Sequence, residues 1–585
     1  MKENKNSYRN IILFTTPSIL NLLFLHYYFV FKGLYYSRMY LFTPVLNLLS
    51  VLFDISCILF LLMILTGKRL KRSLHLCFLI TLLWSFANCL YGRFFFAPIS
   101  LSSIQQGCNL FDGIVIHSML SGLEIIDIYF CFIIITYAAI CKYTRSTISH
   151  VEWKKVFTII LIPIFSFIIS IVVYSFYHFT SPHLKNHPER FYSQLNEFII
   201  NPFIWKNGAP VNVHFQSGSI RFIISDIIDE YKSYKLSEHD IKAIKNEFLD
   251  YSKRKSKHKT NKELKNVIFI LLESFLSSSL DLTINGKEIT PFLNKLKHDS
   301  TVYYNGHIKQ NITIGESGDG QLIYMTGLLP LRNKITVGIA KNRVLPGLPL
   351  ILKRKFAITY SEIIIPSSPV VWEQRYMNKR YGIDNMLSAA DIGDLSAFYT
   401  TEEKVFNLAK TTGKENKQPF FSMVLGISTH NPYDEPVTKE FNINNKRYPR
   451  QYTNYLIACN YVDKQIEEYL RYLKEKSIYN NSLIIIASDH CPHIDQLKMQ
   501  NKVVPDMPLY IINSGIPTSS MYKGSANQLD VYTTILDVLG INNTWLGLGH
   551  SLLLKEYESS VNDKAYELSN KILMGNFFKD SPSYK

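Results

Sequence analysis

Asp489 and His490 close an unbroken apolar run, Leu-Ile-Ile-Ile-Ala-Ser-Asp-His over residues 483–490, and Glu273 closes another, Asn-Val-Ile-Phe-Ile-Leu-Leu-Glu over 266–273. Two carboxylates and an imidazole make a donor set suited to manganese, magnesium or zinc. A third run, Phe-Phe-Ser-Met-Val-Leu-Gly-Ile-Ser-Thr-His over 420–430, ends in His430. A hydroxyl bound to such a cation loses its proton more readily and becomes a nucleophile. Ser317 offers one. It lies in a glycine-punctuated segment, Gly-Glu-Ser-Gly-Asp at 315–319, just before the helical spacing of 321–329, and amides at a helix amino terminus favour a phosphate. Thr313 and Ser274 are rival hydroxyls. Plainer roles exist for each residue: Ser317 as a helix cap, Glu273 as a solvated strand end, His430 as a loop residue bonded to backbone. Asp489-His490 resists such a role, because burying the pair without a partner carries a desolvation cost.

The elements that must carry these groups are strands. Continuous β-branched runs read as strands buried on both faces of a parallel sheet, and ligands gather at the carboxyl ends of such strands. From residue 266 onward strand-like runs alternate with helical patterns at 290–297, 454–474 and 530–539, which predicts an α/β domain with a largely parallel sheet over 266–585. Residues 179–265 read as connecting helices, at 220–231 and 237–251 with Ser237 as cap, followed by the Lys-rich linker 254–265.

The first 178 residues are different in kind. Five stretches, 11–31, 41–65, 74–91, 119–141 and 156–177, are apolar over the roughly 20 residues a membrane-crossing helix needs, so 1–178 is expected to be a five-helix transmembrane domain. Lys2, Lys5, Arg9, Lys68, Arg69, Lys71, Arg72, Lys142, Arg145, Lys154 and Lys155 fall on one set of flanks and loops. The positive-inside rule then puts the amino terminus in the cytoplasm and the α/β domain outside. Glu124 and Asp127 share a helix face near the outer end of the fourth span, and intramembrane acids usually meet a polar partner. Arg93 with Phe94–Phe96 reads as a re-entrant segment at the outer surface. Six of the eight cysteines lie in or near the membrane half, so no disulfide framework is expected in the domain beyond it. The net charge of +16 suits work beside anionic lipid. No basic patch with interleaved aromatics is present, and nucleic acid is not an expected partner.

Taken in order, Leu-Leu-Glu-Ser at 271–274, Gly-Glu-Ser-Gly-Asp at 315–319, Trp372 with Tyr-Gly-Ile-Asp at 381–384, Ser-Thr-His-Asn-Pro-Tyr at 428–433 and Ser-Asp-His at 488–490 resemble lipoteichoic acid synthase and related phosphoglycerol transferases. These are sulfatase-like members of the alkaline phosphatase superfamily. The resemblance implies one manganese ion on Glu273, Ser317, Asp489 and His490, with Ser317 standing where the family has Thr. It also implies substrate contacts from His430, Trp372 and Arg375. The reaction so implied moves a phosphoglycerol headgroup from a phosphatidylglycerol-like donor, through a phosphoryl-Ser317 intermediate, to a hydroxyl on a glycan or lipid-linked acceptor, at the outer face of a bacterial cytoplasmic membrane. The family run that holds the glycerol moiety is replaced here by Ile364-Ile365-Pro366-Ser367 and Trp372-Glu373-Gln374-Arg375, which leaves the transferred group open. A sulfatase is disfavoured, since Ser317 lacks the Ser-x-Pro-x-Arg context. A phosphoethanolamine transferase, a phosphodiesterase passing the group to water, and a non-catalytic binding homologue are the remaining readings.

Overall fold

In the computed structural model the chain forms two compact units, Met1–Ile104 with Gly122–Ser233 and Gln105–Ser121 with Tyr234–Lys585. Apart from residues 1, 32–42, 96, 106–121, 145–152, 181–209, 232–233, 250–263, 333, 389–400, 432, 434–440, 442, 444–447, 494–496, 498–502, 543, 555–556 and 582–585, the structure describes the whole chain. The linker at 254–265 lies mostly outside the described residues.

In the first unit, long apolar helices run over Lys2–Phe31 (α1), Thr43–Leu65 (α2), Leu70–Phe95 (α3), Ile128–Tyr143 (α4) and Trp153–Thr180 (α5). Four stretches among the described residues, Arg9–Val30, Pro44–Leu65, Leu70–Phe95 and Ile125–Tyr143, are long and apolar enough to cross a membrane, and α5 carries the shorter apolar stretch Leu161–Phe176. A fifth crossing is therefore not established. Phe14, Leu25 and Phe29 of α1 pack with Ile55, Leu74, Phe78 and Ile133 in one apolar cluster. Several polar residues inside this unit are paired with one another. Arg93 is buried in the last turn of α3, donates to both carboxylate oxygens of Asp127 and to Tyr28 Oη, and reaches Gly122 O. Asp127 thus has its partner, and Glu124 stays exposed. The helix Pro210–Tyr231 (α6) is broken at Gly218, φ +81°. There Asp54 of α2 accepts the backbone N–H groups of Ser219 at 2.6 Å and Ile220 at 3.1 Å, capping the second half of α6. A Cβ on Gly218 would meet Asp54 Oδ2 at 2.8 Å.

In the second unit Ser237 caps the helix Glu238–Leu249 (α7), its Oγ accepting from the Asp240 N–H at 3.1 Å while Asp240 Oδ2 accepts from the Ser237 N–H at 3.1 Å, a reciprocal capping box. The core is a sheet whose strands among the described residues are β1 (Asn266–Leu272), β2 (Tyr303–Lys309), β3 (Tyr360–Ile365), β4 (Asn385–Ser388), β5 (Phe420–Leu425), β6 (Ser482–Ser488), β7 (Met507–Ile512) and β8 (Ala526–Asn527), in the order β8-β2-β7-β6-β1-β5-β3-β4. All pairings are parallel except the two made by β7. Every residue of β1 and β6 is buried, as two-faced coverage by helices requires. The expected helices at 290–297, 454–474 and 530–539 appear as Pro291–His298 (α8), Arg450–Glu475 (α10) and Leu529–Val538 (α11), while the one expected at 321–329 begins earlier, as Glu316–Thr326 (α9).

One ion pair sits wholly inside the sheet layer. Lys414 Nζ lies 2.8 Å from Glu362 Oε1, with both side chains inaccessible to solvent. Ser422 Oγ donates to the same oxygen at 2.7 Å and Tyr360 Oη to the other at 2.9 Å. Removing one member of such a pair leaves a buried charge without its counterion, a loss of about 3–5 kcal/mol. Lys414→Met is accordingly expected to lower the melting temperature of the purified protein sharply, and Lys414→Met with Glu362→Gln to recover much of it.

Candidate active site

The strand register itself brings the acidic groups together. Leu272 pairs with Ser488 in parallel, so Glu273 and Asp489 leave adjacent strands side by side, and the Asp489 N–H continues the ladder to Leu272 O at 2.9 Å. One oxygen of Asp489 is pinned by two backbone donors, Ser274 N–H at 2.8 Å and His490 N–H at 2.7 Å. Ser274 adopts φ +48° to make that turn. His490 Nδ1 faces Cys491 O at 2.8 Å, which fixes that nitrogen as the N–H donor and leaves Nε2 as the ligand atom. Ligand atoms of Glu273, Asp489 and His490 all lie within 4.8 Å of one another. Below them the turn after β6 is held by Tyr324 Oη to Ser488 O at 2.7 Å, Gln528 Nε2 to Asp489 O at 2.6 Å and Cys491 N–H to Gln310 Oε1 at 2.8 Å.

Ser317, in the first turn of α9, faces this trio. Its Oγ is 3.2 Å from His490 Nε2 and 3.3 Å from Glu273 Oε2, and the residue is half-buried. Asp319 shapes the turn before it, accepting from Thr313 N–H at 3.0 Å, Thr313 Oγ1 at 2.7 Å and Gly315 N–H at 3.0 Å. Thr313 is thereby committed to the scaffold. Ser274 also lies in the cluster but is buried and donates to Glu273 Oε1 at 2.8 Å. The glycines around Ser317 mark close approaches: a Cβ on Gly320 would fall 2.3 Å from Asp489 O, and one on Gly318 3.1 Å from the Trp372 ring. Gly320→Ala must push α9 away from the ligand turn. It is expected to destabilise the protein by about 1–3 kcal/mol and to weaken cation binding, read by thermal melting with and without added cation.

Thr429 Oγ1 donates to Glu273 O, tying the turn after β5 to the cluster and bringing His430 beside it. His430 Nδ1 is 2.5 Å from Asn431 O, and burial holds the pKa of the ring below its ordinary value. Trp372 lies against Gly318, at φ +50° with Glu373 at +56°. Arg375 is exposed on the first turn of the helix Gln374–Tyr381, and its neighbour Gln374 is the side chain that reaches α9, where it forms a reciprocal amide pair with Gln321 at 2.6 and 3.3 Å.

Without a cation the cluster is electrostatically loaded. Burial, reinforced by Glu273, pushes the Asp489 carboxyl up to about 7. Burial opposes charge on His490, but Asp489, Glu273 and Glu316 outweigh it and raise the imidazole to about 9. Two carboxylates and a lone imidazole crowded this closely need a positive charge among them, so the donor set fits a divalent cation.

Residues 265–541 match the sulfatase family model. This part of the chain is similar to the sulfatase family. Across the chain, lipoteichoic acid synthase 2 of Bacillus subtilis is 27% identical over 378 residues, 59% of this chain and 56% of the relative. Lipoteichoic acid synthase 1 of the same organism is 26% identical over 516 residues, 81% of this chain and 74% of the relative. The chain thus spans little more than half of the first relative's length and about three quarters of the second's. The resemblance to this group of sulfatase-family enzymes read from the motifs is borne out. The lipooligosaccharide phosphoethanolamine transferase A of Neisseria meningitidis, an integral membrane protein, is 13% identical and covers 92% of this chain and 96% of its own with a TM-score of 0.53, a likeness of fold.

Sequence reasoning passed over Glu316, Asp319, Gln321, Gln374 and His493. Glu316 and Asp319 lie inside the quoted 315–319 motif, where their acidity beside the proposed nucleophile was the available signal. The partners of the others come from distant segments.

Proposed function

We propose that this protein is a membrane-anchored, metal-dependent phosphotransferase that moves a phosphoglycerol-type headgroup from a phospholipid to an acceptor hydroxyl outside the cell. The placement of Ser317 Oγ, 3.2 Å from His490 Nε2 and 3.3 Å from Glu273 Oε2 at a helix amino terminus, carries this reading. Glu273, Asp489, His490 and Ser317 Oγ would hold one divalent cation, manganese by family resemblance with magnesium or zinc as the other options, and it would supply the Lewis acidity that lowers the pKa of the hydroxyl. Ser317 Oγ bonds to phosphorus as the bond from phosphorus to the diacylglycerol oxygen breaks, and that oxygen leaves with a proton equivalent to the one Ser317 gives up. The first amides of α9 face the phosphoryl oxygens and stabilise their charge. In the second half an acceptor oxygen attacks phosphorus, the bond to Ser317 Oγ breaks, and the acceptor's proton passes to His430 Nε2, the nitrogen left unprotonated by the Nδ1 contact with Asn431 O. Trp372 would form a wall of the headgroup pocket, and Arg375 would meet the substrate from the exposed rim. Anchoring by the apolar helices keeps the site beside its lipid donor and raises the donor's effective concentration.

Likeness of fold to a phosphoethanolamine transferase keeps an ethanolamine headgroup as the second reading. The deciding test presents fluorescent phosphatidylglycerol and phosphatidylethanolamine to the cation-loaded full chain and weighs the adduct on Ser317. Glycerophosphate supports the first reading and ethanolamine phosphate the second. No release of diacylglycerol from either donor leaves a binding protein.

A further inference from the structure

Glu316 precedes the proposed nucleophile and has no part in the scheme above. Its backbone is held at φ +41°, a left-handed conformation that is strained for a non-glycine residue and persists only where the surroundings over-determine it. Its side chain is buried, yet it is not one of the three clustered ligands. Instead the carboxylate lies between two imidazoles, Oε2 being 3.8 Å from His490 Nδ1 and 3.8 Å from His493 Nε2. These distances exceed a direct hydrogen bond and mark polar contacts with one nitrogen of each ring. On His490 the Nδ1–H is given to Cys491 O at 2.8 Å, so Glu316 is a charged neighbour of the ligand imidazole, on the side away from the Nε2 that faces Ser317. His493 comes from the loop just past the ligand turn and is mostly enclosed, its side chain 16% exposed.

The carboxylate of the residue before the nucleophile thus lies against the loop that carries the ligand histidine, and the left-handed turn is at the residue that leads into Ser317. We propose that Glu316 is a positioning residue: its clamp between His490 and His493 holds the left-handed turn that presents Ser317 to the ligand cluster. This rests on the reading of Ser317 as nucleophile. A misplacement of about 1 Å at a reacting atom costs about 10²-fold in rate, which sets the expected scale.

The test uses the purified full chain with manganese and fluorescent phosphatidylglycerol, following formation of the Ser317 adduct in a single turnover, the lipid KM, and cation binding by calorimetry. Glu316→Gly removes the clamp while relieving the backbone of its left-handed penalty. It is expected to melt no lower than wild type and to bind the cation, yet to form the adduct about 10²-fold more slowly with lipid KM little changed. Glu316→Gln keeps the shape and one acceptor oxygen and should restore most of the rate, while His493→Asn should slow adduct formation in the direction of Glu316→Gly. Adduct formation at the wild-type rate by Glu316→Gly overturns the inference, as does a rise in KM without a fall in rate. If Glu316→Gly does not fold, wild-type adduct formation by His493→Asn overturns it instead. A wild-type protein that turns over donor with no adduct on Ser317 defeats the nucleophile assignment, and this inference with it. A wild-type adduct with an unaffected Glu316→Gly defeats only the clamp.

Discussion

Ser317→Ala is expected to abolish adduct formation and to cut release of diacylglycerol by at least ~10³-fold, the scale on which removal of a nucleophile acts in enzymes of two-step transfer. The loss should fall on the rate and not on folding. Ser317 is half-buried in the first turn of α9, and among the described residues its hydroxyl meets the cluster through His490 Nε2 and Glu273 Oε2, so the alanine variant should melt within a few degrees of wild type. Cation binding separates this from a purely structural effect. With Glu273, Asp489 and His490 left in place, Ser317→Ala should still take up an ion, more weakly, in calorimetry. Ser274 offers the built-in control: its hydroxyl is buried and given to Glu273 Oε1 at 2.8 Å, so Ser274→Ala should retain the adduct. Turnover that survives Ser317→Ala and disappears in Ser274→Ala would reassign the nucleophile.

How much of this arrangement could be read from the sequence depends on how local each feature is. The ends of β1, β5 and β6 are visible because a strand covered on both faces needs an unbroken apolar run, and the polar residue that stops the run is the one at the sheet's rim. Glu273 and Asp489-His490 are such stops, while His430 lies in the turn that follows β5. The strands at or next to the sheet's edges, β2, β4 and β8, carry no comparable signal: β2 reads Tyr-Tyr-Asn-Gly-His-Ile-Lys, with alternating exposure in its second half, and β8 is only two residues long. Pairings across the chain were equally hidden. Glu362 looks out of place in β3 until Lys414 is seen beside it, and Asp127 finds Arg93 from a different helix. Helix phase explains Arg375. One step along a helix turns the side chain by about 100°, so at the start of this helix Gln374 is the residue turned toward α9, and Arg375 sits at the exposed rim.

Chelation is expected to stop turnover completely, with activity restored by added divalent cation, and the pH dependence of cation binding is the sharper form of that prediction. In the metal-free protein Asp489 titrates near 7 because of burial and then Glu273, and His490 near 9, where the neighbouring acids prevail over burial. A cation needs the carboxylate charged and Nε2 of His490 bare. Wherever Asp489 or His490 still holds its proton each bound ion must therefore displace it, so affinity should rise with pH across this range, more steeply where both groups are protonated. The metal-free fold responds with the opposite sign. Asp489 has a folded pKa above its unfolded 3.8, so the folded state binds the extra proton from about pH 4 to 7 and stability falls as pH rises through that range. His490, raised from 6.5, contributes stability that is fully present below 6.5 and is lost as pH rises through about 9. The gap in melting temperature between cation-loaded and chelated protein should consequently widen steadily from pH 6 to pH 9. Calorimetry in buffers of different ionisation enthalpy counts the released protons directly. A cation affinity flat across that range, or release of no proton at pH 8, would mean that Asp489 and His490 are not the groups that take up the ion.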